Sequence, residues 1–379
     1  MWRYLACGLG FSLISFSTAR ADACGGVVSE KSLVVQAQQR VLISLHSDDT
    51  SDVVLQLFIP AANERFGALT PVGVQPVLDP DPVDVAELDG LDRATRPIVE
   101  EGDSGDGGCS CVPFAGSEAA GDHTKGGVNV VQSVEIGPVT ASVLTADSSA
   151  PLVQWLGDNG FVLPATDQPL LDAYVGPGQF FIAFKRSSQA PSGPSSVGVS
   201  FKAPGDMRGY PLRMSRIGAA SRLGIQVFVA APARVAPNGS APSAPFVALT
   251  LADFAPSKLL VDYEGAVFDE VSKRASKAFV VEGVFRESAS WRVGLGPRLT
   301  RITSPDQVLT RLASVVAPDT LDRDVTFDSP APDKVPTHVV AGIEPERGGP
   351  RRPATFALIA ASALLPIFRR AGSRRSANS

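Results

Sequence analysis

The chain has 379 residues, 44% of them hydrophobic, with 34 basic and 39 acidic side chains. Arg3, Arg20, Asp22 and the seven arginines from Arg347 onward lie near the two ends, which leaves 25 basic and 38 acidic side chains between them, a net charge of about −13. Such a surface repels nucleic acid and anionic lipid, which excludes a nucleic-acid-binding role. The apolar content is enough for one large domain or two ordinary ones.

The first 23 residues have the layout of a secretory signal peptide. Arg3 lies in a short charged region, an apolar stretch covers residues 5–16, and small residues follow it. That stretch is too short for a membrane-spanning helix, so we expect export with cleavage after Ala21 or Ala23. A lipoprotein with Cys24 as the lipidated residue is a less favoured alternative, because charged residues stand where that signal requires small or aliphatic ones.

The first part of the exported chain is expected to contain a hairpin, a helix and a long loop. Gln36–Leu45 and Asp52–Ile59 are rich in β-forming residues and flank a polar turn, which predicts the hairpin. A helix is predicted over Val83–Thr95, and it stops before Pro97. Glu100–Gly127 is dense in glycine, aspartate and serine, so we expect a surface loop there.

The middle of the chain contains further strands and a few short helices. Helices are predicted over Ala150–Gly160 and Gln168–Tyr174, whereas Asp262–Arg286 and Val308–Val316 fit either a helix or a strand. Strands are predicted over Val128–Glu135, Ala141–Thr145, Gln179–Arg186, Val197–Lys202, Tyr210–Ile217 and Gly224–Ala230. The expected fold class is therefore α+β, a β-rich mixed domain with antiparallel strands and a few short helices.

The C-terminal part divides by composition into three segments that follow an exported domain of residues 24–328. Residues 329–352 are expected to form a stalk rich in proline and charge. Residues 353–370 are expected to form an apolar tail helix, although the 16 uncharged residues from Pro353 reach only about 24 Å against a bilayer core of about 30 Å. The arginines that follow the apolar stretch, at its end and in the basic end of residues 371–379, favour a cytoplasmic C-terminus. A retained membrane anchor and a processed sorting tail both stay open.

The segment GDSGDGGCSCVPFAG, residues 102–116, holds two of the three cysteines that remain after signal cleavage. Cys7 leaves with the signal peptide, so the mature chain has Cys24, Cys109 and Cys111. In an oxidising envelope Cys24 is expected to form a disulfide with one of the other two. The bond would close a loop of roughly 85 residues and contribute about 4 kcal/mol in the chain-entropy model.

Other chemistries fit this segment less well. Gly102–Gly105 matches the residues around a serine-protease nucleophile, with Ser104 in that place, but no histidine of the chain has the matching surroundings. Cys109, Cys111 and His123 could bind zinc, yet a second ligand pair is missing. A redox pair would be expected as Cys-x2-Cys at a helix start rather than in a loop. We therefore predict no catalytic, cofactor-binding or metal-binding residues.

Two charged groups along the chain could bind ions, but each has a simpler interpretation. Three aspartates lack the glycine and distal glutamate of a calcium loop, which favours a solvated acidic turn: Asp79, Asp81 and Asp84. Four arginines could gather into an anion site, although scattered surface arginines are commoner: Arg213, Arg216, Arg222 and Arg234.

Several runs together resemble the bacterial exported-protein family catalogued as domain-of-unknown-function 2330. They are DACGGVV (22–28), QQRVLISL (38–45), LQLFI (55–59), ELDGLDRATRP (87–97), LVQWLGDNGFVLP (152–164), LLDAYVGPGQFFIAFKR (170–186) and LTRLASVVAPDTLDRDVTF (309–327). The resemblance implies export, often a membrane-anchoring C-terminus, and a mixed β-rich domain. It implies no catalytic residues, because the family has none assigned.

The expected function is that of an uncharacterised bacterial cell-envelope protein. Its exported domain would bind or support other molecules without catalysis, and its partners would be the membrane, through the tail, and an envelope protein or glycan. No cofactor and no nucleic acid are expected. The alternative is an envelope hydrolase whose site is assembled only in three dimensions, from carboxylates and Ser104.

Overall fold

The computed structural model of the chain describes residues 21–22, 26–28, 36–61, 66–101, 128–161, 163–239, 245–286, 288–332 and 334–341. The strands are β1 Ala21–Asp22, β2 Gly26–Val28, β3 Gln36–Leu45, β4 Thr50–Ile59, β5 Gly67–Val72, β6 Val77–Leu78, β7 Ile98–Glu101, β8 Val128–Ile136, β9 Val139–Ala146, β10 Phe180–Arg186, β11 Ser195–Pro204, β12 Gly209–Tyr210, β13 Ala219–Ala231, β14 Ala236–Gly239, β15 Val247–Thr250, β16 Ala278–Phe285, β17 Val308–Val316, β18 Val325–Ser329 and β19 His338–Ala341. The helices are α1 Val85–Thr95, α2 Ser149–Asp158, α3 Gln168–Leu171, α4 Pro256–Val261, α5 Tyr263–Ser272, α6 Ser288–Trp291 and α7 Pro297–Ile302.

Most of these strands belong to two sheets. The large sheet has the order β15-β16-β17-β13-β3-β4-β11-β6, with β1 paired to β3 off this path. It is mixed, because β13 runs parallel to β3 and β15 runs parallel to β16. The small sheet, β2-β5-β10-β9-β8, is antiparallel throughout. The prediction of a β-rich domain with antiparallel strands and few helices is thus confirmed.

The main core lies between the two sheets. Side chains alternate between the two faces of a strand, so every second residue of β3 and β10 points the same way. Ile43 of the large sheet and Ile182 and Phe184 of the small sheet are buried in one apolar cluster. Their sequence neighbours Leu42 and Phe181 belong to two other clusters on the outer faces. The two sheets therefore form a sandwich.

Helices cover the outer face of each sheet. On the large sheet, Leu42 is buried together with Leu88 of α1 and Trp291 of α6. On the small sheet, Phe181 is buried together with Trp155 of α2 and with a residue of α3. Strands buried on both faces read as nearly continuous apolar runs, which explains why DVVLQLFI and QFFIAFKR show no polar alternation.

The structure confirms several predicted elements and corrects one. The hairpin is β3 and β4, and the two ambiguous segments resolve into α5 followed by β16 and into β17. The predicted strand Tyr210–Ile217 is wrong: a 3-10 helix spans Leu212–Arg216. The reason is tertiary, because this turn buries Met214 against the α2 side of the small sheet, and Gly218 at φ +71° then reverses the chain.

The expected end segments are only partly described. The described residues form one compact unit, and among them no helix has the length and apolar content needed to cross a membrane. The signal peptide other than residues 21–22, the tail helix 353–370 and the basic end lie outside the described residues, so these segments and the domain boundaries stay predictions. Part of the expected stalk is folded, because β19 pairs in parallel with β7.

We expect Val339→Asp to release β19 from β7. Val339 is half-buried against the main core, and Ile98 N donates to Thr337 O at 2.8 Å just before it. A charge at position 339 would be partly buried and would remove the apolar contact that holds this short strand. Hydrogen exchange of the β7 amides should accelerate while global stability changes little. His338→Asn is the matched control, since it removes only the exposed 3.3 Å pair with Glu100. Unchanged exchange at β7 in Val339→Asp would contradict the prediction.

Candidate functional site

A cleft of about 500 Å³ opens on the outer face of the large sheet. One wall is the end of α1 and the start of β7, and the other wall is α4 with the start of α5. The floor is built from outward-pointing side chains of four neighbouring strands, Arg40 of β3, Gln226 of β13, Arg311 of β17 and Glu282 of β16. Polar groups set among apolar side chains are typical of ligand sites.

A β-bulge in β16 positions Glu282. Val281 pairs with Leu312 and Gly283 pairs with Arg311, so Glu282 is the extra residue of the bulge. Bulges re-aim a side chain, and here the Glu282 carboxylate, only 1% exposed, reaches Arg311 on the adjacent strand. Gly283 leaves room for the ring of Phe285, because a Cβ at position 283 would lie 2.6 Å from that ring and would force it to shift.

Arg311 is the centre of a buried hydrogen-bond network. Its Nε donates to Glu282 Oε2 at 2.6 Å, and its Nη2 donates to Gln226 Oε1 at 3.1 Å. Its Nη1 lies 2.8 Å from Asp92 Oδ1 and 3.2 Å from Thr95 Oγ1, both at the end of α1. The guanidinium therefore joins three strands of the sheet to a helix.

The second oxygen of the Glu282 carboxylate is also occupied. The hydroxyl of Tyr263, at the start of α5, donates to Glu282 Oε1. Burial and the neighbouring carboxylate raise the pKa of Tyr263 well above its usual value, so the hydroxyl stays protonated. The guanidinium of Arg311 also lies 5.3 Å above the ring of Phe228, which connects the network to the apolar cluster beneath the helices.

Arg311 and Asp92 each favour the ionised state of the other. Burial lowers the pKa of Arg311, but Glu282 and Asp92 outweigh that effect and raise it overall. Burial alone would raise the pKa of Asp92, but Arg311, Arg40 and Arg96 lower it below its ordinary value. Arg96 Nη2 binds the second oxygen of Asp92 at 2.8 Å.

We expect the protein to lose stability in acid when Asp92 becomes protonated. A carboxyl whose pKa is lower in the folded than in the unfolded chain stabilises the fold above the unfolded pKa of about 3.9, and this contribution disappears as the pH falls through the folded pKa. The difference in unfolding free energy between wild type and Asp92→Asn, measured in urea, should therefore be larger at pH 6 than at pH 3. Exposed Asp319→Asn is the control, and an equal difference at both pH values would contradict this role of Asp92.

A second, partly buried polar cluster lies away from the cleft. Tyr174 donates its hydroxyl to Asp324 Oδ1 at 2.6 Å, and Arg213 Nη2 lies 3.2 Å from Asp324 Oδ2. Arg213 also stacks 4.9 Å above the Tyr174 ring. This cluster joins the segment after α3 to the 3-10 helix and to residue 324, so we interpret it as structural.

The residues predicted to carry chemistry are mostly outside the described part of the chain. Cys24, Cys109, Cys111, Ser104 and His123 all lie outside it, and the disulfide stays a prediction. Across the described ranges, no group of three or more His, Cys, Asp or Glu side chains is placed to hold a metal ion.

The aspartates of the predicted acidic turn form ion pairs and a hydrogen bond and are not only solvated. Asp79 and Asp81 form ion pairs with Arg298 of α7, with oxygen–nitrogen distances of 2.5 and 3.2 Å. Asp84 caps α1 by accepting a hydrogen bond from the amide of Ala86 at 2.9 Å. These contacts attach the turn to both helices beside it.

The four arginines considered as an anion site have separate partners. Arg213 pairs with Asp324, Arg216 donates to Leu321 O at 3.5 Å, and Arg234 donates to Ala331 O at 2.6 Å. The Arg222 guanidinium lies 4.1 Å above the ring of Phe268. The interpretation as scattered arginines fits these contacts better than a shared anion site.

Sequence reasoning missed the residues that form the cleft. Glu282 and Arg311 are each the only charge within an apolar strand, AFVVEGVF and VLTRLASVV. A lone charge in such a run is a signal for a buried, paired group. Their partners could not be identified in the same way, because Asp92 lies 219 residues before Arg311.

Comparisons with known proteins identify a family and show a weak likeness to a solved structure. A family profile described as "Uncharacterized protein conserved in bacteria (DUF2330)" matches residues 18–328. A search of curated proteins found no match. A solved structure titled "Crystal structure of baculovirus P35" is 8% identical, with a TM-score of 0.25 over 51% of this chain and 63% of that one. A score that low carries no argument about fold or function.

Proposed function

Because the chain belongs to the DUF2330 family of uncharacterised bacterial proteins, we propose that it is an exported cell-envelope protein whose domain binds a ligand in the Arg311 cleft without catalysis. One observation carries the proposal: the cleft has a polar floor whose charged groups are already paired and held in place by one another. Such preorganisation lowers the cost of ordering a site when a ligand binds.

The proposed location rests on the two ends of the sequence. Export is supported by the signal-peptide pattern, and attachment to the membrane is supported by the uncharged residues 353–368 with arginines on both sides. Fractionation of native cells without detergent tests this proposal. Recovery in the envelope fraction is expected, and recovery in the soluble cytoplasm would refute it.

The predicted disulfide would join two anchored parts of the exported domain. Cys24 lies between β1, which pairs with the large sheet, and β2, which pairs with the small sheet. The segment with Cys109 and Cys111 leaves from β7 and returns at β8. Intact mass with and without reductant, followed by peptide mapping, should show one bond between Cys24 and one of the other two. Three free thiols in the mature protein would contradict the disulfide.

Occupancy of the cleft can be tested in protein taken from its own envelope. Native mass spectrometry of the wild-type chain should show an added mass that the variant Ala313→Trp loses, because Ala313 lines the cleft and a large ring there would fill it. Val261→Trp is the matched control, since Val261 is 86% exposed at the end of α4. An added mass that survives Ala313→Trp would place the ligand elsewhere.

A hydrolase is the second candidate, because two carboxylates, Glu282 and Asp92, converge on Arg311 in the cleft. General acid catalysis needs a carboxyl whose pKa is raised, whereas the pKa of Asp92 is lowered. This difference is why we favour binding. Turnover of an envelope substrate that is abolished by Asp92→Asn in a folded protein would favour the hydrolase, and loss on Ser104→Ala would implicate the serine.

A further inference from the structure

The charges that line the cleft balance one another. Three arginines and three carboxylates line it: Arg40, Arg96, Arg311, Asp92, Glu264 and Glu282. Arg311 is bound to Glu282 and Asp92, and Arg96 is bound to Asp92. Arg40 Nη1 lies 2.7 Å from Asp89, just beyond the cleft. Three arginines would suggest an anion site, but an anion would have to compete with carboxylates already in place, at the cost of leaving them buried without a partner.

Groups at the rim can still bind an uncharged polar ligand. The Arg96 side chain is 56% exposed, and its pairing with Asp92 uses only Nη2 among its nitrogens. Gln38 is half-buried and donates through Nε2 to the exposed Glu264 at 3.2 Å. Planar guanidinium, amide and carboxylate groups can each exchange two hydrogen bonds with neighbouring hydroxyls. The walls also offer apolar surface from Pro97, Val99 and Leu260.

The floor favours recognition by side chains over pairing with a peptide backbone. Its strands β3, β13 and β17 are interior strands of the large sheet, whose backbone groups are used by their neighbours in the ladder. An extended peptide adds to a sheet edge, where backbone groups are open. A ligand over the floor therefore meets mainly side chains, which suits a molecule that carries its hydrogen-bonding groups as hydroxyls.

We propose that the cleft binds a short neutral oligosaccharide, with its hydroxyls on Arg96, Gln38 and Glu264 and the apolar face of a sugar ring against Pro97 and Leu260. A volume of about 500 Å³ is within the range of small-molecule sites. This inference rests on the proposed binding function and specifies its ligand class.

Calorimetric titration of the full-length protein in detergent tests the inference. The probes are neutral trisaccharides (cellotriose, maltotriose and N,N′,N″-triacetylchitotriose), the anionic trigalacturonate, and inorganic phosphate. At least one neutral trisaccharide should bind. Arg96→Ala and Gln38→Ala should each weaken its affinity about tenfold, because each variant removes one hydrogen bond to the sugar. Arg93→Ala is the control, an exposed arginine on the same helix outside the cleft, and it should leave the affinity unchanged.

Two results would overturn the inference. The first is binding of trigalacturonate or phosphate that Arg96→Ala removes, and the second is that no neutral trisaccharide binds. The native mass measurement distinguishes failure of the proposed binding function from failure of the saccharide assignment. If no trisaccharide binds but an added mass is lost in Ala313→Trp, the binding function stands and only the saccharide is excluded. If there is no added mass and no titration signal, both proposals are refuted.

Discussion

Replacing Glu282 by alanine should lower the free energy of unfolding by about 3–5 kcal/mol, the cost of breaking a buried ion pair by removing one partner. The variant leaves Arg311, only 5% exposed, without its shortest ion pair, and Tyr263 without the acceptor of its hydroxyl. Urea unfolding at pH 7, followed by tryptophan fluorescence, measures the effect.

Two controls separate the buried charge from the loss of contacts. The double variant Glu282→Leu with Arg311→Leu removes both charges and should be less destabilised than Glu282→Ala, because it leaves no buried arginine without its glutamate. Asp322→Ala breaks an ion pair with Lys277 at 3.0 Å in which the aspartate is 54% exposed, and should cost less than about 1 kcal/mol. A loss below about 1 kcal/mol in Glu282→Ala would contradict the buried network.

Truncating Phe184 to alanine should destabilise the protein by about 3–5 kcal/mol, as expected for a buried phenylalanine in a core. Phe184 is fully buried on the inner face of β10, between the two sheets. Its neighbours across the ladder, Ala68 and Ala141, are small and cannot fill the space left by the ring. The same urea unfolding experiment measures the loss.

The matched control for Phe184 is an apolar residue at an exposed edge of the large sheet. Val77 of β6 is 61% exposed, so Val77→Ala should change stability by about 0.5 kcal/mol or less. Similar losses in the two variants would mean that the space between the sheets is not the main core.

The cleft illustrates how a local irregularity produces a site. An uninterrupted strand would place Glu282 on the ladder opposite a single partner, whereas the bulge inserts it as an extra residue beside Arg311. Gly283 lies against the ring of Phe285 at that position, so the sequence EG within AFVVEGVF places the charge beside a residue without a side chain.

Several elements could be predicted from the sequence because their causes are local. The hairpin of β3 and β4 follows from two β-rich runs around a polar turn, and the end of the first helix follows from Pro97 beyond it. The failed strand at Tyr210–Ile217 shows the limit of local reasoning. Its residues favour a strand, but the burial of Met214 against the small sheet required a turn.

The sequence by itself determined that the domain is acidic, β-rich and built from short helices and apolar strands, because these properties depend on composition and on near neighbours. Only the tertiary structure decided that β13 runs parallel to β3, that two sheets face each other, and that Asp92, Glu282 and Arg311 meet. The physical reason is distance along the chain. Contacts between residues separated by tens to hundreds of positions depend on which pairing of strands buries the most apolar surface, and no single segment records that choice.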